Sequence, residues 1–502
     1  MIRRSRAAAA LAVGALTLAA AGAAASTAGA APAACATRTN NNLTKLLECV
    51  ELAGVREHQA ALQAIADANG DTRVSGSSGY DESVDYVVER LEAAGWQTTV
   101  QPFLFQTFIS LAPPVLERIS PPPAGPVPTT IFAYSGSGDV TAPVSRPADA
   151  GSGNEGCEAA DFAGFTPGNI ALVQRGACTF AIKTTNAYNA GASAVVIWNN
   201  QPGVINGTLG NDFTLDIPVV SATQADGAVL AATAGLVMRV ATETFRGIAT
   251  TSNVLAELPG KNPANVVMAG AHLDSVNAGP GINDNGSGSA ALVEIAENLR
   301  GVKPQNTMRF AWWGAEEANL VGSTYYVNTL SQAERDRIAL YLNFDMIGSP
   351  NHVFFIYDGD DSDGVGAPAG PVGSAEIEKT FEAFFESRDL PYKGTDFSGR
   401  SDYGPFIAVG IPSGGLFTGA EGIKTAEEAA LWGGTAGQQY DPCYHLACDT
   451  FANNNDEALE QNSDAVAHAA LSYGMSTTLV NGAKGKGNFR PSADDDHAAL
   501  TQ

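Results

Sequence analysis

The chain has 502 residues, 45% of them apolar and only 16% charged, with a formal net charge of −25. That composition excludes a disordered chain, and the length exceeds one ordinary core, so two domains are expected. The acidity argues against nucleic acid and anionic membranes as partners.

In chain order, Arg3, Arg4 and Arg6 precede an apolar run from Ala7 to Ala25 and the small residues Ala28-Gly29-Ala30. This is the pattern of a secretory signal peptide over residues 1–30, removed on export. Its loss takes away three Arg and no acid, so the net charge of −25 becomes −28. A membrane anchor is the competing reading, and the small residues that close the run argue against it. The mature protein is therefore expected to be secreted and extracellular, free of the membrane. Its six cysteines, an even number in an exported chain, imply disulfides. Sequence leaves the connectivity open, and the simplest set is Cys35–Cys49, Cys157–Cys178 and Cys443–Cys448.

Residues 43–68 show helical spacing, Asn69 to Gly79 is turn-rich, and Ser83 to Ala94 is a second helix ended by Gly95. Thr98 to Phe108 alternates as a strand. These belong to the first part of a main domain, residues 36–117. Pro113, Pro114, Pro121, Pro122, Pro123 and Pro126 mark a boundary, and residues 118–245 read as an inserted β-rich domain. It holds short buried strands at Ala171–Val173 and Ala194–Ile197 and a helix near Lys183–Gly191. The main domain resumes over residues 250–480. Strands are expected at Asn265–Ala269, Met308–Trp313 and Leu340–Phe344, and helices at Gly288–Leu299, Leu320–Leu330, Ser374–Arg388 and Asp456–Tyr473. This alternation predicts an α/β three-layer sandwich on a mixed, largely parallel sheet. Residues 481–502, rich in Gly, Lys and Asp, read as a disordered tail.

The chemistry-bearing residues follow strand ends, where open α/β sheets place ligands. His272 and Asp274 follow the first of these three strands, Glu316 and Glu317 the second, and Asp345 the third. Asp284 lies in a Gly-rich loop, and His445 lies between Cys443 and Cys448. Singly, each has an ordinary structural explanation: a helix cap, a solvated face or a satisfied core histidine. Together, two imidazoles and several carboxylates suit zinc. His272, Asp284, Glu317, Asp345 and His445 are enough for two ions, with Asp284 shared. Glu316, beside a ligand, is left to act as a base, and Asp274 is placed to fix the His272 tautomer.

Several longer motifs carry these residues: Ala271–Val276, Gly281–Gly288, Trp313–Glu317, Asn343–Gly348, Gly399–Tyr403 and Cys443–His445. In this order they resemble the secreted di-zinc aminopeptidases of metallopeptidase family twenty-eight, above all the leucine-preferring streptomycete ones. The resemblance covers roughly residues 60–105 and 250–475. It implies one zinc on His272, Asp284 and Asp345 and another on Asp284, Glu317 and His445. It further implies Glu316 as general base and acid, Tyr444 as oxyanion donor, and Arg400 (through its backbone) and Met346 as substrate-binding positions. Peptides and proteins with a free N-terminus are the implied substrates, with a large hydrophobic first residue such as Leu preferred. A weaker likeness to a surface calcium site falls on Glu460 and Asp464, for which a solvated helix face is the favoured reading. Gly156-Cys157, Leu172–Phe180 and Asn189–Ala192 make the insert resemble a protease-associated domain. A carboxypeptidase or a glutaminyl cyclase on the same fold, or a binding module with a vestigial site, are the competing readings. A site complete for two zincs weighs against the cyclase, and the intact ligands and base weigh against the binding module.

Overall fold

The computed structural model describes residues 34–35, 37–205 and 207–483. The expected signal peptide, and the expected tail from residue 484 on, lie outside the described residues. Among the described residues thirteen strands run β1 (Gln97–Ser120), β2 (Gly125–Pro126), β3 (Gly138–Ser145), β4 (Ile170–Gln174), β5 (Ala194–Trp198), β6 (Val219–Ala222), β7 (Val237–Leu258), β8 (Asn262–His272), β9 (Asn306–Trp313), β10 (Ile338–Phe344), β11 (Phe355–Tyr357), β12 (Lys393–Thr395) and β13 (Ser413–Phe417). They pair in the order β12-β11-β13-β10-β8-β9-β7-β3-β4-β5-β6, with β1 on β7 and β2 on β1.

The centre, β13-β10-β8-β9, is parallel, and β7 and β11 flank it antiparallel. Every residue of β9 and β10 is buried. Such strands read as largely apolar runs because helices cover both faces. On one face the helices Leu52–Ala68, Ser78–Ala93, Gly286–Asn298, Ser374–Glu386 and Asp456–Met475 share a core with Val267, Ala269, Phe310, Trp312, Leu340 and Leu342. On the other face Tyr326, Val327, Tyr403 and Phe406 pack against Met268, Ala311, Trp313 and Tyr341. This is the expected three-layer sandwich on a mixed sheet.

Three local expectations differ. The stretch 43–68 is two helices, Leu43–Leu47 and Leu52–Ala68, parted where Cys49 bonds to Cys35. The helix expected from Ser83 starts at Ser78, capped by the Ser77 hydroxyl. Gly79, read as a turn residue, sits in its first turn, pressed so close to the Thr72 carbonyl that a Cβ there would stand 2.3 Å from its oxygen. Finally, the prolines at 113 and 114 do not end β1. The strand continues to Ser120, and irregularities between Ser110 and Ala112 and between Ala112 and Val115 absorb the two residues that lack an N–H donor.

That last difference shapes the insert. β1 and β7 pair along nearly their whole lengths, from Gln97–Glu257 to Ser120–Val237. The expected boundaries near 118 and 245 therefore fall inside two continuous strands rather than in linkers. Beyond the ribbon, β3–β6 form a parallel set with its own cores on either side. All three expected disulfides are present.

Candidate active site

Parallel strands deliver their polar residues to one sheet edge. His272 closes β8, Glu316 and Glu317 follow β9, and Asp345 follows β10. The loop from Leu273 to Asn285, which ends as the Asn285 N-cap of the Gly286–Asn298 helix, carries Asp284. The disulfide loop Cys443–Cys448 carries His445.

The structure brings all five expected ligands together. His272 Nε2 lies 3.2 Å from Asp284 Oδ1 and 3.3 Å from Asp345 Oδ1. His445 Nε2 lies 3.2 Å from Asp284 Oδ2 and 3.2 Å from Glu317 Oε2. His272–Asp284–Asp345 and Asp284–Glu317–His445 thus form two ligand groups with Asp284 in both. Ala315, Met346 and His445 all adopt positive φ, at 52°, 54° and 57°. Backbone strain of this kind persists only where surroundings impose it.

The charge pattern calls for cations. Burial opposes ionisation of His272, yet Glu316 and Asp345 raise it well above the usual imidazole value. Burial likewise opposes His445, and Glu317 and Asp284 push it up to about 10. Burial works against Asp284 too, but the two imidazoles beside it hold it well below the usual carboxylate range. Burial raises both Glu316 and Glu317, with His272 and His445 respectively opposing that rise. His272 Nε2, Asp345 Oδ1 and Glu317 Oε1 are buried without a hydrogen-bond partner. Buried polar atoms left bare are costly unless they bind something. Imidazoles and carboxylates with bare atoms aimed inward fit zinc.

Other groups orient these ligands. His272 Nδ1 stands 3.1 Å from the backbone carbonyl of Asp274 and 3.7 Å from its carboxylate. The Asp274 carbonyl therefore sets the tautomer, through the residue expected to do so. The Asp274 carboxylate instead accepts the Glu316 N–H at 3.2 Å. Asp345 Oδ2 accepts from Ser401 at 2.6 Å, and Ser401 accepts from Asn343 at 2.8 Å. Met346 is buried; its N–H donates to Asn285 at 3.2 Å and its carbonyl accepts from Thr418. Tyr444 stacks on His445 with centroids 3.8 Å apart, and Arg400 donates to its hydroxyl at 3.1 Å. Burial holds the Tyr444 phenol well above its usual value, hence protonated. Arg400 thus reaches the site with its guanidinium, beyond the backbone role expected of it.

Several contributors carry no sequence signal of their own. Arg73, fully buried, donates to the carbonyls of Pro280, Gly281 and Leu273 and so grips the loop that holds Asp274 and Asp284. Asp441 and Asp449 flank the cysteine loop, two residues before Cys443 and directly after Cys448, and that place beside the ring is the one signal that could have found them. Asp402, inside the Gly399–Tyr403 motif, is pushed up to about 7 by burial. The insert reaches this edge through Asn211, which donates to the Ala318 carbonyl at 3.5 Å. Glu460 is exposed, whereas Asp464 pairs with Arg388 at 2.9 Å and is not the solvated residue expected.

The model of peptidase family M28 matches residues 253–470, and that of the PA domain matches residues 140–230. An aminopeptidase of Pseudomonas aeruginosa is 48% identical over 450 residues, 87% of this chain and 83% of that protein. A leucine aminopeptidase 2 of Trichophyton equinum is 42% identical over 429 residues, 85% of this chain and 84% of that one. The crystal structure of a zinc aminopeptidase from Bacillus subtilis is 25% identical with a TM-score of 0.65, covering 86% of this chain and 97% of that chain.

Proposed function

The chain belongs to peptidase family M28 and is a zinc aminopeptidase, a hydrolase of peptide bonds; on that premise we propose that it is a secreted enzyme with two zinc sites that removes large hydrophobic residues such as Leu from free peptide N-termini. One observation carries the two-site reading. The two oxygens of Asp284 each stand 3.2 Å from a different imidazole. With Asp345 on one side and Glu317 on the other, each site has three side-chain ligands, the number that leaves a position open for catalysis.

Zinc held there supplies Lewis-acid polarisation of a carbonyl and lowers the pKa of a nearby water. Glu316, whose carboxylate is raised by burial, accepts a proton from the attacking water at its side-chain oxygen. The Tyr444 hydroxyl donates to the oxygen that gains negative charge. Glu316 then returns the proton to the departing amine. The substrate ammonium is met by the carboxylates of Glu316 and Asp345 and the backbone at Arg400, which explains a requirement for a free terminus.

The name leucine aminopeptidase among the relatives supports a hydrophobic first residue. Export is supported by the N-terminal sequence pattern and by three disulfides. Among the described residues no helix is long and apolar enough to cross a membrane. The test is zinc analysis joined to hydrolysis of Leu-anilide. Two zincs per chain, activity lost to a chelator and restored by zinc are expected; full activity in metal-free protein would refute the proposal.

A further inference from the structure

The loop that carries His445 is fastened to the loop that carries Asp284 by two buried carboxylates that belong to neither ligand group. Asp441 and Asp449 stand just outside the Cys443–Cys448 ring, 0% and 2% exposed. Asp449 accepts the N–H of Asn283 at 2.8 Å on one oxygen and the N–H of Asp284 at 2.9 Å on the other. Its backbone carbonyl accepts the N–H of Ile282 at 3.1 Å. Three consecutive residues ending at the shared ligand thus hang on one aspartate. Asp441 accepts the Asn283 side-chain amide at 2.7 Å and the Cys443 N–H at 2.8 Å. Asn453 donates to Asp441 at 2.9 Å and to Asp449 at 3.1 Å, joining the pair.

Two carboxylates buried side by side are expensive, and apolar packing would fill the same space at lower cost. What they add is direction, since a carboxylate gripping two successive N–H groups fixes both position and orientation. The two ligand groups differ in their need for this. His272 and Asp345 end adjacent parallel strands, and the sheet itself sets their spacing. His445 lies on an irregular loop at positive φ, with no strand beneath it.

We propose that Asp449, backed by Asp441, is the positioning residue that sets the spacing between Asp284 and His445 and thereby the affinity of the site formed by Asp284, Glu317 and His445. The inference rests on the two-site reading above. Asp449→Asn keeps the size but turns an amide donor toward a backbone N–H, so one grip is lost and one contact becomes repulsive. Loss of a partner that orients a ligand costs about 10–100-fold in metal affinity. That loss should fall on one zinc of the two.

The test is stepwise zinc uptake by the apoprotein, measured by competition with a chromophoric chelator, for wild type and Asp449→Asn, with melting curves of both apoproteins. The expected result is two zincs in wild type, with one step lowered about 10–100-fold in the variant and the other within about threefold of wild type. A merely structural role would lower the melting temperature and leave the ratio of the two affinities unchanged, and that outcome overturns the clamp. Equal affinities in wild type and variant overturn it as well. A wild type that takes up a single zinc instead refutes the two-site reading. Hydrogen exchange on the wild-type apoprotein serves if the variant does not fold. The amides of Asn283 and Asp284 should be protected without zinc, and rapid exchange there removes the clamp.

Discussion

Replacing Glu316 by Gln separates catalysis from metal holding more cleanly than any other change at this site. The side chain keeps its length, and the backbone stays fixed because the Glu316 N–H is bonded to Asp274. Glu316 Oε2 is 3.9 Å from His272 Nε2, beyond hydrogen-bond range, so no direct partner is lost. The proton acceptor does disappear. Loss of a general base costs about 10²–10⁴-fold in rate, or about 2.7–5.4 kcal/mol of barrier at about 1.36 kcal/mol per decade. The fold should not suffer. Burial and the charges of Glu317, Asp402 and Asp345 disfavour the ionised carboxylate while the nearby His272 favours it, so a neutral amide of the same size is accommodated. Turnover on Leu-anilide, zinc content and melting temperature should therefore read together as a fall of about 10²–10⁴-fold, no change, and no decrease. Glu317→Gln should do the opposite, losing zinc first. A Glu316→Gln enzyme with more than about a tenth of wild-type turnover, or one short of a zinc, refutes the assignment.

N-acetylation of a peptide removes the charge met by Glu316 and Asp345, and cleavage should fall below detection; comparable rates with and without the acetyl group contradict the aminopeptidase mechanism. Cys443→Ser with Cys448→Ser should fold but turn over more slowly, since about 1 Å of displacement of Tyr444 or His445 costs on the order of 10²-fold; an unchanged kcat removes the loop's constraint from the mechanism. Burial, then Lys424, lowers His352 from 6.5 to about 4. The unfolded chain takes up that proton first, so the stabilisation is complete above pH 6.5 and is lost as pH falls toward 4, by up to about 3 kcal/mol. Denaturant titrations of His352→Gln should show a shallower decline over that window, and an identical slope rules the residue out.

The sandwich was legible because its central strands are buried on both faces and so appear as largely apolar runs, Met308–Trp313 broken only by Arg309 and Leu340–Phe344 only by Asn343, each followed by acids. The same geometry made the cluster of candidate ligands readable, since neighbouring parallel strands all end at one edge and deliver their next residues there. Sequence could not supply the contacts that distant segments make through the backbone. Arg73 meets the carbonyl of Pro280, 207 positions away, and nothing local marks it. Asp449 binds main-chain N–H groups, which leave no trace in residue identity. Positive φ at Ala315, Met346 and His445 falls on residues that seldom adopt it, so propensity points elsewhere. The prolines of β1 misled for the converse reason: strand pairing with β7 on both sides outweighed their local preference.

The continuous β1–β7 ribbon has a bearing on engineering the enzyme. A domain hung on two flexible tethers can be cut out or exchanged at any convenient point. Here the two connections are hydrogen-bonded partners in fixed register, such as Phe105 with Ala249 and Phe108 with Arg246. A graft that trims one strand by a single residue slides every pair below it and turns alternate side chains over. Phe103 and Phe105, now buried against Ala315 just before the base, would then face solvent. Swapping the insert thus demands matched cuts on opposite strands, and an error of one residue at a distant junction should be read out as lost turnover.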